Sequence, residues 1–296
     1  MQPAANGETP RHYPVLLQES LEYLAVKPDG IYVDVTAGLG GHTGAIAQRL
    51  TTGLVIACDR DAESLEIARR NTAEWAERIR YFQGAFSQLP RALANFGVLK
   101  VDGVLADLGV SRYQLSEGER GFSIMQDGPL DMRMDRSQGV SAADFVNELP
   151  EKALADLIYE FGEERRSRRI SRAIVRARPI YTTGRLAQVV EQAVPRTGRI
   201  HPATQTFMAL RLKVNEEFNE LEALLRSVPE RLNAGGRFVV LTFMSTEDRK
   251  VKRAFQALAA ARQARILTKH VIRPSEREVS ENAASRSAKL RALQSV

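Results

Sequence analysis

A chain of 296 residues can bury a sizeable core as one large or two small domains, and 44% hydrophobic with 26% charged residues suits a globular protein. Its single cysteine, Cys58, excludes an intrachain disulfide framework and a thiolate-rich metal centre; the histidines (His12, His42, His201, His270) are scattered, so no metal is expected. No apolar stretch is long enough to span a bilayer, residues 1–14 lack a signal-peptide core, and the net charge of +6 points to a polyanionic partner, so a cytoplasmic location with no membrane partner is expected.

Residues 1–10 are polar and expected to be disordered. Residues 31–35 then form a short apolar run with Asp34 inside it, which reads as a strand. Gly38, Gly40 and Gly41 follow, and helical spacing of Ala45, Ile46 and Leu50 comes next. Glycines at a strand-to-helix turn let a ligand approach the backbone and present amides at a helix N-terminus. A second run, 54–58, ends at Asp59, where an acid can hydrogen-bond a ribose. A nucleotide-like cofactor is the first hypothesis. The glycines alone do not say which one, because Thr43 stands where a dinucleotide fingerprint has its third glycine. Asp34 could accept hydrogen bonds from the loop or face a cationic group of a ligand.

Further strands are expected at 79–82 and 101–106, with helices near 43–50, 62–75 and 88–96 between the runs. This alternation predicts a parallel sheet with helices on both faces, and ligands in such sheets lie beyond the carboxyl ends of the strands. Gly38–His42, Asp59, the 84–86 segment and Asp107 all fall at those ends. Cys58, inside an apolar strand, reads as a small buried residue.

The alternation stops after the fourth run. Residues 115–205 begin with a turn-rich stretch and continue as helical patterns, which predicts a helical insertion. Seven arginines lie between 165 and 178, among them Arg168, Arg169 and Arg172. They form either a solvated helix face or a phosphate-binding one, and guanidinium forks match phosphate oxygens well. Phe207, Leu210, Val214, Phe218, Leu221 and Leu225 recur at spacings of three and four, which predicts one long helix returning to the sheet. A strand at 237–243, a helix near 247–261 and strands at 264–270 and 287–293 complete the expected elements.

Several strings, taken in order, carry a resemblance: HYPVLLQE at 12–19, DLGVS at 107–111, Gln114-Leu115, ERGFS at 119–123, GPLDMRMD at 128–135 and YEFGEER at 159–165. HPAT at 201–204, Ala209 to Arg211, Val214-Asn215, EDR at 247–249 and SAKLR at 287–291 follow. Over roughly 12–292 the chain resembles the ribosomal RNA small subunit methyltransferase H family, also called MraW. The resemblance implies an α/β, Rossmann-like S-adenosylmethionine-dependent methyltransferase domain (1–114 and 206–296) with an inserted, mainly helical domain (115–205) that handles RNA. It implies methylation of N4 of a decoding-centre cytidine in 16S rRNA, with that rRNA, in the small ribosomal subunit or a late precursor, as partner to a monomer or homodimer. By motif, cofactor contacts fall on Gly40, Gly41, His42, Asp59, Phe86, Asp107 and Gln114, and Asp107 is also the catalytic candidate. Phe86 offers a ring face to the adenine or is simply core. Asp131 and Arg133, with Arg168, Arg169 and Arg172, would position RNA; Asp131 and Arg133 could equally be an internal ion pair.

The chain departs from the family's usual pattern at Arg112, at Met244, at Ala283-Ala284 after Asn282, and in a short 255–275 stretch. Two rival functions stay open at this point. One is a methylation-inactive RNA-binding protein, suggested by Met244 and Arg112. The other is an NAD-dependent oxidoreductase, against which Thr43 and the lack of a plausible hydride-transfer acid both count.

Overall fold

The four apolar runs of the first hundred residues become parallel strands, each followed by a helix. The computed structural model describes residues 14–196, 198 and 200–296; the polar segment 1–10 and His12 lie outside the described residues. In chain order the elements are α1 (Leu17–Leu24), β1 (Ile31–Asp34), α2 (Gly41–Arg49), β2 (Leu54–Asp59), α3 (Ala62–Asn71), β3 (Ile79–Gln83), α4 (Leu89–Asn95) and β4 (Val101–Asp107). The helix expected through residue 75 stops at Asn71 and continues as a 3₁₀ turn, Ala73–Arg78. Asp61 begins α3 by accepting the Glu63 and Ser64 N–H groups, which a helix start otherwise leaves unsatisfied.

Next come α5 (Arg112–Ser116), α6 (Ala142–Glu148), α7 (Glu151–Gly162), α8 (Ser167–Ala177), α9 (Thr183–Ala193), α10 (Thr204–Val214) and α11 (Glu217–Arg231). The single long helix expected over 207–225 is two helices. Asn215 ends α10, its amide donating to the carbonyls of Met132 and Arg211 and its Oδ1 accepting Met134 N–H, and Glu216 takes a left-handed φ of 49°. An apolar repeat of three and four carries no sign of such a break, because the bonds to Met134 and Met132 come from 81 and 83 residues upstream.

The chain closes with β5 (Leu232–Thr242), α12 (Ser245–Ala260), β6 (Ala264–Ile266), α13 (Glu276–Glu281) and β7 (Lys289–Ser295). One sheet holds all seven strands in the order β3-β2-β1-β4-β5-β7-β6. β1 to β5 are parallel, while β7 runs antiparallel to both β5 and β6. The chain therefore has the expected Rossmann-like α/β architecture. Strand order reverses between β1 and β4, the place where open α/β sheets bind ligands.

Two compact units result, 1–109 with 223–296, and 110–222. The helical unit thus extends beyond the expected 115–205 at both ends, because α10 packs against α7 and so belongs to that unit's core. The sheet unit is built around Tyr32, Ile46, Val55, Leu105, Val239 and Leu290. The helical unit has its own core of Leu130, Val146, Leu154, Ile158, Ile174 and Phe207. Among the described residues no helix is long and apolar enough to cross a membrane.

Candidate cofactor site at the strand ends

The loop after β1 is held from beneath by Asp34. Its fully buried carboxylate accepts Thr36 N–H (3.0 Å) and Thr36 Oγ1–H (3.3 Å) on Oδ1, and Thr43 Oγ1–H (2.7 Å) on Oδ2. Of the two roles open to Asp34 from sequence, the structure adopts the first: the acid fastens the loop from inside. Thr43 takes the third-glycine position because its hydroxyl, one turn into α2, closes this bond. Thr36 Oγ1 in turn accepts Asp107 N–H at 2.7 Å, joining the β1 loop to the end of β4. Thr43 stood out in the sequence only as a departure from the dinucleotide fingerprint, and Thr36 did not stand out at all.

Gly40 sits at φ 90° as the N-cap of α2, and a Cβ there would approach Thr72 Cγ2 to 2.8 Å. A Cβ on Gly41 would strike Pro14 Cγ at 2.5 Å. Close packing by the protein itself therefore accounts for both glycines, and their small size brings the N-terminus of α2 to the loop. Asp59 ends β2 with Oδ2 accepting Gly38 N–H (2.8 Å) and Oδ1 accepting Asp61 N–H (2.9 Å). Burial drives its pKa up to about 6, the two N–H bonds opposing the rise. Each carboxylate oxygen keeps acceptor capacity, which suits ribose hydroxyls.

Asp107 and His42 form the centre of the strand-end group. His42 Nε2 lies 3.6 Å from Asp107 Oδ2, with His42 buried and the Asp107 side chain 22% exposed. Among the described residues, neither His42 ring nitrogen nor Asp107 Oδ1 has a hydrogen-bond partner. Burial disfavours the imidazolium, but Asp107 and Asp34 outweigh it and raise the His42 pKa above its ordinary value. Unsatisfied buried polar atoms are costly and rare in a scaffold, and His42 and Asp107 keep bonding capacity that a further molecule could use. Phe86 opens a 3₁₀ turn after β3 and lines an apolar crevice with Val35, Cys58, Phe82, Ala85 and Leu89. The spare acceptor capacity of Asp59 and the unsatisfied Asp107 match the ribose hydroxyls and the cationic substituent of an adenosine cofactor.

The other expected site residues belong to the helical unit. Gln114 is buried in α5, where its Oε1 accepts Ser111 N–H (3.0 Å) and its own N–H donates to Ser111 Oγ (3.2 Å). This reciprocal cap accounts for the glutamine in local terms. Arg133 grips Asp131 in bidentate fashion, Nε to Oδ1 at 2.7 Å and Nη2 to Oδ2 at 3.0 Å, with Arg136 Nε 3.4 Å from Oδ2. The internal ion pair left open from sequence is formed. Burial alone would raise the Asp131 pKa, but Arg133 outweighs it and holds the carboxyl below its ordinary range. Arg168, Arg169 and Arg172 all lie on the exposed face of α8, opposite buried Ile170 and Ile174. Of the seven clustered arginines, Arg166 is bound to Glu164, Arg178 to the carbonyl of Val146, and Arg172 Nε lies 3.5 Å from Glu151 Oε1, so these three have partners within the helical unit itself.

The model of the MraW methylase family matches residues 9–296. This chain belongs to the MraW methylase family. The ribosomal RNA small subunit methyltransferase H of Solibacter usitatus is 61% identical over 283 residues, covering 96% of this chain and 99% of that protein. The protein of the same name from Acidobacterium capsulatum is 47% identical over 300 residues, covering 97% and 99%. S-adenosylmethionine is the cofactor of this MraW-family chain.

Several strings that carry the resemblance are scaffold. Glu247 accepts the N–H groups of Phe243 and Met244 (both 3.1 Å) and so caps α12, while Asp248 is bidentate with Arg291 (2.6 and 3.1 Å). In the helical unit, His201 Nδ1 accepts Ala203 N–H at the start of α10, and Arg211 is bidentate with Glu217 (2.8 and 3.0 Å).

Proposed function

We propose that the chain methylates N4 of a cytidine in the decoding centre of 16S rRNA within the small ribosomal subunit. The observation that carries the reading is Asp107: a carboxylate at the β1/β4 switch point, with one buried oxygen unpartnered among the described residues and His42 at its other oxygen. Family membership and the names of the relatives support the RNA substrate.

The residues present fit the cofactor. Asp59 would accept the ribose hydroxyls, Phe86 would cover the adenine, and the α2 N-terminus with Asp107 would face its polar end. When bound, S-adenosylmethionine supplies an electrophilic methyl group. The cytosine amine is a poor nucleophile because its lone pair is delocalised into the ring, so the enzyme's task is to orient it and to favour the rehybridised nitrogen. Asp107 would accept one amine N–H, which localises the lone pair and fixes its direction. His42, whose pKa Asp107 and Asp34 raise above its ordinary value, stands 3.6 Å from Asp107 Oδ2 and would orient that carboxylate. Met244 stands at the end of β5 as the N-cap residue of α12, and a thioether takes no proton at neutral pH. The spent proton would then go to water or to the RNA, which the acidity of a methylated amine permits. The exposed arginines of α8 would hold RNA phosphates, and the target base must be unstacked to enter.

The test is mass analysis of small-subunit rRNA from cells with and without the protein, joined to transfer of labelled methyl by purified enzyme to the subunit lacking that mark. A mark at cytidine N4 that appears only with the protein is expected. Equal marking in both cell types, with no transfer in vitro, would sink the proposal and favour an RNA-binding protein without activity.

A further inference from the structure

Residues 245–296 carry twelve Lys and Arg against five Asp and Glu, an excess that the arginine-rich helix of the other unit does not include. On α12 the charges are sorted by face. Glu247 is buried as the helix cap, and Asp248 is taken by Arg291 with Lys289 Nζ 4.0 Å away. Val251 and Phe255 bury the same side. Arg249, Lys252 and Arg253 are exposed, and Lys250, half-buried, borders them. Around the helix these four basic residues occupy one continuous sector with no acid in it.

An ordinary solvated helix in the same unit looks different. On α3 the exposed charges are Glu63, Glu66, Arg69 and Arg70, balanced in sign, with Arg69 Nε 4.0 Å from Glu66. Mixed charges at a spacing of three and four stabilise a helix, whereas like charges oppose it. The one-signed face of α12 costs helix stability, so it answers to something outside the helix.

Its position says what. Asp107 pairs in register with Leu241, β5 ends at Thr242, and α12 begins at Ser245, so the helix starts at the same end of the sheet as the strand-end site. Lys289, paired with Thr242 at the start of β7, reaches Ser245 Oγ at 3.4 Å and ties the two segments together. Exposed Arg286 lies in the 3₁₀ turn just before it. We propose that the exposed face of α12, with Arg286, is a phosphate-binding surface for RNA carried by the sheet unit itself. It rests on the RNA reading above and extends it: the sheet unit holds the backbone beside the reacting nucleotide, independently of the α8 arginines.

The test is filter binding of the full-length protein to a small-subunit rRNA transcript across a salt series. In Arg249→Gln/Lys252→Gln/Arg253→Gln, the log–log salt slope should fall by about two and affinity near 0.1 M salt by about tenfold or more, since each lost phosphate contact removes somewhat under one from the slope. Calorimetric S-adenosylmethionine affinity should not move. Arg286→Gln alone should remove a little under one from the slope, and as a single exposed change it keeps the test valid if the triple variant folds poorly. Slopes equal to wild type in both variants overturn this surface while leaving the RNA reading intact. A wild-type protein that neither binds nor methylates the RNA overturns the reading beneath it.

Discussion

Buried carboxylates in the two units are treated in opposite ways. In the sheet unit, Asp34 and Asp59 are held by N–H and O–H donors alone, and burial raises the pKa of both. In the helical unit, Asp131 and Glu164 are each gripped by an arginine, and that charge lowers theirs. A guanidinium completes a carboxylate in both charge and geometry and leaves it little to offer a ligand. Neutral donors fix its position yet leave negative charge and lone pairs uncompensated. Under the proposed function Asp59 would bind the ligand while Asp34, Asp131 and Glu164 hold the fold, and what separates them is the bonding capacity left over.

The contrast breaks first at Asp107. Asp107→Asn should lower the single-turnover methyl-transfer rate at saturating cofactor by about a hundredfold or more, in the range of a positioned catalytic group. A rate within a few-fold of wild type would return Asp107 to the scaffold.

Asp59 comes next. Asp59→Ala should weaken S-adenosylmethionine binding by about 2–3 kcal/mol, as for a charge-assisted hydrogen bond, with RNA affinity little changed. Ribose hydroxyls need the ionised acid, so wild-type cofactor affinity should hold above pH of about 6 and decline as pH falls through it. On folding without cofactor the sign reverses. The folded pKa lies above the ordinary 3.8, so the contribution of Asp59 to stability is full below that value and is lost as pH rises through about 6. Isothermal titration and denaturant melts over pH 4–8 separate the two effects; a flat affinity profile removes Asp59 from the site.

Asp131 should behave in the opposite sense. Asp131→Asn strands the Arg133 guanidinium and should cost about 2 kcal/mol of stability in denaturant melts. Cofactor affinity should not change. A loss of cofactor affinity with stability unchanged would reverse the assignment.

The smallest effect is expected at Met244. If Asp107 orients the amine and water or the RNA takes the proton, Met244→His should alter the transfer rate by no more than a few-fold. An inactive wild type restored by that substitution would show that a base at this position is essential.

Much of the sheet unit was legible because its signals are local. Apolar runs of five or six residues located β1, β2 and β4, with Asp34 inside the first and Asp59 and Asp107 ending the other two. The ordered motifs named the family. The break at Asn215 was not legible, since its partners Met132 and Met134 are remote in sequence. The strand expected at 264–270 is present, shortened to the three-residue edge strand β6.

By itself, then, the sequence determined the strand–helix alternation, the residues at the strand ends and the cluster of arginines at 165–178, because periodicity and composition act over a few turns of chain. Tertiary structure decided which of those residues are left with unused bonding capacity. Asp34 and Asp59 are both acids beside glycines, yet Thr36 and Thr43 close over the first, and only backbone amides hold the second. Asp131 and Asp107 both lie in conspicuous motifs, yet one meets a guanidinium and the other an imidazole at 3.6 Å with an oxygen to spare. Hydrogen bonds saturate, so which partner arrives settles whether an acid builds the fold or serves a ligand, and chain folding alone brings the partners together.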